Sequence, residues 1–180
     1  MSKLPSKYEW LLKEKGPNML KEALKHYGVT EIVGPKHNPT IMGWAKELGV
    51  SWYTSDEVPW CGLFVGIVAS RCKYPFNKNK LLAAREWNTY GVKVDPKSVQ
   101  LGDILVFSRT GGGHVGFYVG ETDKLYAVLG GNQGNAVSVT WLSKDRLLGV
   151  RRPKYKIGAA GNPRRIFLKN DGEPVSTNEA

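Results

Sequence analysis

Ile41, Trp44, Ala45 and Leu48 recur at the three-and-four spacing of an α-helix, and Gly49 follows as a stop, so a helix is expected over 40–48. Two other helical stretches precede it, Tyr8 to Lys15 and Asn18 to Tyr27, separated by Gly16-Pro17, with Pro17 suited to the first turn of the second. The run after residue 60 differs. Leu63, Phe64, Val65, Ile67, Val68, Ala69 and Cys72 leave no polar face, which predicts a central helix buried on all sides. Beyond a loop and a short helix around Leu81 to Trp87, the period falls to two. Strands are expected near Asp103 to Ser108, His114 to Val119, Leu125 to Leu129, Ala136 to Thr140 and Leu147 to Arg151. Helices followed by a run of short strands predict an α+β fold with an antiparallel sheet.

At 180 residues the chain suits one domain: residues 1–153, of which 1–50 are the helical part and 51–153 the core. From Lys154 to Ala180, Pro, Gly, Asn and charges dominate and only Ile166-Phe167-Leu168 is apolar. A basic, mobile tail or a strap is expected there, with Arg164 and Arg165 available to attach it to a partner.

The chemistry begins at the start of the apolar helix. Cys61 stands where the partial positive charge of a helix N-terminus stabilises a thiolate, and a thiolate is the form that attacks acyl carbon. Cys72 reads as a small core hydrophobe. On one helix it lies about 16 Å from Cys61, too far for a disulfide. Of three histidines, His26 falls on a helical stretch and is expected on a solvated face, and His37 lies in a loop. His114 opens a strand after Gly111-Gly112-Gly113, where Gly113 leaves room for a substrate backbone. A base there needs an acceptor on its second ring nitrogen. Asn132, after the strand ending at Leu129, is the candidate, although Gly130-Gly131-Asn132 is also a strong turn signal and spacing alone favours the turn. No zinc-ligand spacing and no disulfide framework is present, so neither a metal nor a cofactor is expected.

Four stretches in order resemble the CHAP and NlpC/P60 superfamily of peptidoglycan hydrolases. They are Pro59-Trp60-Cys61-Gly62-Leu63-Phe64-Val65, Gly102-Asp103-Ile104-Leu105-Val106-Phe107, Gly113-His114-Val115-Gly116-Phe117-Tyr118-Val119-Gly120 and Gly130-Gly131-Asn132-Gln133. With the segments Gly34 to Pro39 and Trp52 to Glu57, the likeness is strongest to a bacteriophage-associated subgroup and covers roughly residues 25 to 153. The resemblance implies a papain-like domain with Cys61 as nucleophile, His114 as base and Asn132 as orienting residue. Because that third position varies in the family, Gln133 and Asn135 stand as substitutes. It also implies Tyr53 as an oxyanion donor beside the Cys61 backbone N–H, though a packed aromatic beside Trp52 accounts for Tyr53 equally well. Without an Asp-x-Asp-x-Asp pattern before the cysteine, no calcium site is expected.

Asp56, Glu57, Trp60, Gly113 and Gln133 are candidate substrate contacts. Asp56 and Glu57 would face a cationic side chain of a stem peptide, but acids favoured by the helix dipole are the better reading, and core packing is the commoner use of Trp60. The implied activity is cleavage of an amide in a murein stem peptide or cross-link, as a phage lysin acting in lysis or wall penetration. A non-catalytic phage structural or wall-binding protein and an injected antibacterial amidase are the alternatives. A net charge of +10 suits an anionic wall polymer and equally nucleic acid, yet no nucleic-acid motif accompanies it. No stretch has membrane-spanning length and Met1 to Lys15 lacks the apolar run of a signal peptide. The expectation is a monomer made in the bacterial cytoplasm that reaches the wall through a holin pore or within a virion.

Overall fold

The computed structural model describes residues 4–155 and 164–169. The protein is α+β. A six-stranded antiparallel sheet carries the helices, and its strands are β1 (Val92–Val94), β2 (Ile104–Arg109), β3 (Gly112–Glu121), β4 (Leu125–Gly130), β5 (Ser138–Ser143) and β6 (Leu147–Arg152). Their spatial order is β1-β6-β2-β3-β4-β5. Strands β2 to β5 form a meander, and β6 returns to the far side of β2. Among the described residues three α-helices precede the sheet: α1 (Asn18–Leu24), α2 (Pro39–Leu48) and α3 (Cys61–Arg71).

Helix α3 is the centre expected of an all-apolar run. Every residue from Cys61 to Ala69 is buried, against α1 and α2 on one side and β3 and β4 on the other. Phe64 carries the packing across these layers, with its ring 5.8 Å from Trp44 and 6.1 Å from Phe117. Helix α2 begins as its sequence predicts. The Asn38 side chain accepts from the amides of Thr40 and Ile41, Pro39 occupies the first turn, and Gly49 ends it in the left-handed conformation.

The start of α3 is pinned by a close backbone approach. A Cβ on Gly62 would lie 2.1 Å from the Leu81 carbonyl oxygen, a backbone atom that cannot swing aside. Gly62→Ala is therefore expected to cost about 1–3 kcal/mol by overpacking and to displace Cys61 with it. Urea unfolding measures the first effect, and a loss of Cys61 function larger than the stability loss reports the second.

Several elements differ from the sequence reading. Residues 6–13 and 84–89 form 3₁₀ rather than α-helix. The short strand β1 carried no period-two signal, because only Val94 of its three residues is buried. The strand expected from Ala136 starts at Ser138, since Ala136 and Val137 pair instead with Thr30 and Val29 of the N-terminal part. His26 is not on a solvated face. It lies edge-on to Trp44 at 5.2 Å and meets Glu22 and Arg71.

The described part of the C-terminal stretch is docked rather than mobile. Ile166 and Leu168 are buried with Phe167 outward, the Ile166 amide donates to the Tyr118 hydroxyl, and the Leu168 amide donates to the Glu121 carbonyl. Arg165 forks onto buried Glu121 and Arg164 onto Glu14, so both arginines bind the chain's own body. The remainder of the expected tail, 156–163 and 170–180, lies outside the described residues. Among the described residues, no helix is long and apolar enough to cross a membrane.

Candidate active site

Cys61 is the first residue of α3 and only 3 % exposed. The backbone amides of Val115, Gly62 and Cys61 itself are directed at its sulfur. Burial pushes the thiol up from its ordinary value, while these amides and the charge of Arg109 pull it down, and burial wins. The resting sulfur is a protonated thiol rather than a standing thiolate.

His114 sits on the third residue of β3, paired in register with Phe107 of β2, and is 7 % exposed. Its Nε2 lies 2.9 Å from Gln133 Oε1. The tautomer follows from the rest of the network. Gln133 Nε2 donates to the Val128 carbonyl at 3.1 Å and to the Ser138 carbonyl at 2.6 Å, which fixes the orientation of its amide. Gln133 Oε1 must then accept from His114, so Nε2 carries the ring proton and Nδ1 carries the free lone pair. The bond needs Gly130 beside it. A Cβ there would stand 2.9 Å from Gln133 Oε1 and 3.2 Å from His114 Nε2.

Burial lowers the His114 pKa to about 4, with Arg109 and Arg146 acting in the same direction and the Gln133 contact opposing them. The folded imidazole is therefore neutral at pH 7. Between pH 6.5 and about 4 the unfolded chain binds a proton here that the folded chain refuses, so stability falls as pH drops through that window, by about 3 kcal/mol at most from this group. Burial lowers the pKa of His26 also, which adds in the same sense. Unfolding free energies at pH 7 and pH 4 check this: the acid loss should shrink in His114→Ala, and an equal loss in both proteins would remove His114 as its source.

The hydrogen bond to His114 is made by Gln133, one of the two expected substitutes for Asn132. Asn132 adopts φ +56° in the turn after β4, where the Gln133 amide donates to the Ala136 carbonyl, and Asn135 is left-handed in the same turn. Gln133, one residue after Asn132, turns back over β4 to reach the Val128 carbonyl.

Other expected contacts fare differently. Asp56 is fully buried and its oxygens accept from the amides of Ile32 (3.0 Å) and Asn38 (2.8 Å) and meet His37 Nδ1 at 3.0 Å. Burial alone would raise its pKa, but these donors outweigh it and hold the carboxyl below the usual range. Asp56 clamps the 32–38 loop to the start of α2 and has no face for substrate. Glu57 is exposed, with the Gly34 amide 3.4 Å away. Neither acid lies in the first turn of α3, so the dipole does not explain them.

Trp60 is completely buried with its Nε1 on Glu31 Oε2, and it lines no groove. The Tyr53 hydroxyl donates to the Val58 carbonyl at 3.1 Å, so its one proton is already engaged. The room beside Gly113 is filled by Arg85, whose Cγ would lie 2.8 Å from a Cβ there. Asp103, in the second quoted stretch, is buried beneath a two-pronged contact from Arg152 that joins β2 to β6. Among the described residues, no group of three His, Cys, Asp or Glu side chains could hold a metal ion.

An aromatic groove that the pattern of positions did not reveal flanks α3. One part is lined by Phe76, Leu81, Trp87 and Tyr90, and Tyr74 and Tyr155 continue it. It does not include Cys61 or His114. No model of a known protein family matches the chain, and no curated protein matches it either.

Proposed function

We propose that the chain is a papain-like cysteine hydrolase of the CHAP and NlpC/P60 kind, cleaving an amide bond of a peptidoglycan stem peptide or cross-link as a phage lysin. The observations that carry this reading are a thiol at the mouth of a buried helix and, on the strand packed against that helix, a neutral imidazole whose tautomer leaves Nδ1 free. The four ordered sequence stretches support the substrate class, and the net charge of +10 suits an anionic wall polymer.

In this mechanism His114 Nδ1 takes the Cys61 proton as the sulfur adds to the amide carbon. The negative oxygen accepts from the Cys61 amide, an N–H of the first helical turn that has no carbonyl partner and leans on the sulfur in the resting protein. Collapse expels the amine, which takes the proton from His114 and leaves a thioester. Water, losing a proton to His114, adds to the thioester, and collapse frees a carboxylate and restores the thiol. Gln133 holds the imidazole throughout and stabilises the imidazolium by accepting from Nε2. Tyr53 could serve the oxyanion only by leaving Val58, so the Cys61 amide is the donor assigned here.

Digestion of purified Gram-negative and Gram-positive peptidoglycan, with mass spectrometry of the soluble products, tests the proposal, and product masses name the bond. The burial of Cys61 favours one second reading, a wall-binding protein that keeps this architecture without cutting. Retention on insoluble wall with no product released would establish it.

A further inference from the structure

The aromatic groove beside α3 is built where three stretches of chain meet at one end of an edge pair of strands. Val92 of β1 lies opposite Arg152 of β6, so Tyr90, just before β1, and Lys154 and Tyr155, just after β6, leave the sheet side by side. Gly91 permits the approach. It is left-handed, and a Cβ there would run into the Arg152 carbonyl oxygen. The third stretch follows α3, where Lys73 is left-handed and the Tyr74 amide donates to the Ala69 carbonyl. That turn brings Tyr74 edge-on to Tyr155 at 6.2 Å and Phe76 onto Trp87.

The groove has two parts, of about 210 and 580 Å³, that share Pro75, Thr89, Tyr90 and Gly91 and so form one trough in the size range of small-ligand sites. The base of the smaller part is flat and apolar. Trp87 is 4 % exposed, its Nε1 is spent on the Leu81 carbonyl, and Phe76 stacks on it at 5.8 Å and 22°. The larger part is ringed by the phenols of Tyr74, Tyr90 and Tyr155, and none of their hydroxyls has a hydrogen-bond partner among the described residues. Burial raises the pKa of all three, so each hydroxyl keeps its proton at neutral pH and both donates and accepts.

Charge narrows the occupant. Among the described residues, the one carboxylate lining the groove is Glu86, which Lys80 holds at 3.0 Å, while Lys154 has no carboxylate partner. A cation finds no free carboxylate here and meets Lys154. A bare carboxylate or phosphate offers no apolar face to the stacked rings. A pyranose supplies both halves of the match: a C–H face for the rings, and hydroxyls that donate and accept as the phenols do.

We propose that this groove is a carbohydrate site that takes an oligosaccharide without cationic groups, one sugar against the Phe76–Trp87 stack and the next among the hydroxyls of Tyr74, Tyr90 and Tyr155. The site goes beyond the proposed chemistry, since neither Cys61 nor His114 lines it, and it holds glycan whether or not the thiol cuts.

Chitotriose, an uncharged N-acetylated trisaccharide, is titrated into the ¹⁵N-labelled chain. The amides of residues 74, 76, 77, 89–91, 154 and 155 should shift saturably, those of 61–63 and 112–116 should not, and Cys61→Ala should bind equally well. Tyr90→Phe and Tyr155→Phe keep the rings and remove one hydroxyl each, so each should weaken binding about five-fold, the range of one net hydrogen bond. The deacetylated trimer in its ammonium form should bind more weakly still. No saturable shift in the folded protein, shifts confined to 61–63 and 112–116, full affinity in both phenylalanine variants, or equal binding of the ammonium trimer would overturn the site. A proline-rich peptide that moves the groove amides where chitotriose does not would overturn it too, and would assign the groove to a protein partner.

Discussion

Cys61→Ala is expected to release no soluble peptidoglycan fragments while keeping the stability of the parent. The chemical effect is large because the nucleophile is not one contributor among several. On the proposed mechanism there is no thioester route without sulfur, and turnover should fall on the order of 10⁴-fold or more, as when a known triad enzyme loses its nucleophile. The structural effect is small for an equally concrete reason. The residue begins α3 rather than filling its middle, and the packing of that helix rests on Leu63, Phe64, Ile67 and Val68 behind it. The amides of Val115 and Gly62 lose a weak sulfur acceptor only. Denaturation midpoints and product mass spectra of both proteins check the two halves. Fragments released equally by the variant would end the thiol mechanism.

Gln133→Ala should lower turnover about 100-fold, against a change within about two-fold for Asn132→Ala. The contrast distinguishes two adjacent polar residues that look interchangeable in the chain. Gln133 joins three partners, His114 by its oxygen and the Val128 and Ser138 carbonyls by its nitrogen. Removing it frees the imidazole to rotate or to take the other tautomer, with the proton on the nitrogen that must accept. It also removes a donor from two carbonyls, and a stability loss of about 1–3 kcal/mol should accompany the loss of turnover. Turnover per folded molecule, from active-site titration, separates the two effects. Equal losses in the two variants would place the orienting contact elsewhere.

Much of the scaffold was legible in the chain because its signals are local. An apolar run without a polar face can only be a buried helix, and α3 is buried throughout. The Asn38-Pro39 start and Gly49 stop of α2 are set by single residues acting on the backbone next to them. Strands β2 to β4 are buried on both faces, and their runs of β-branched and aromatic residues between glycine turns marked them in the chain. Cys61 and His114 stood out for the same reason, as one residue at a helix mouth and one at a strand mouth.

The places where expectation and structure part depend on distant partners. Asp56 reads as an exposed acid before a helix, yet amides some 20 residues upstream make it a buried clamp. Arg164 and Arg165 read as free charges until Glu14 and Glu121 are found beneath them. The strap they hold is one of the two expectations for this stretch, and the burial of Ile166 and Leu168 selects it.

What the sequence alone determined is the order and type of the main elements, and the placing of a thiol and an imidazole at their mouths, since both follow from interactions within a few residues. What only the tertiary structure decided is which group holds the imidazole and what surrounds it. The turn at Asn132 brings Gln133 rather than its neighbour onto His114, and burial near Arg109 and Arg146 keeps that ring neutral. These depend on the register of β3 against β2 and β4 and on close backbone approaches at Gly62 and Gly130, which arise only when the whole core has packed.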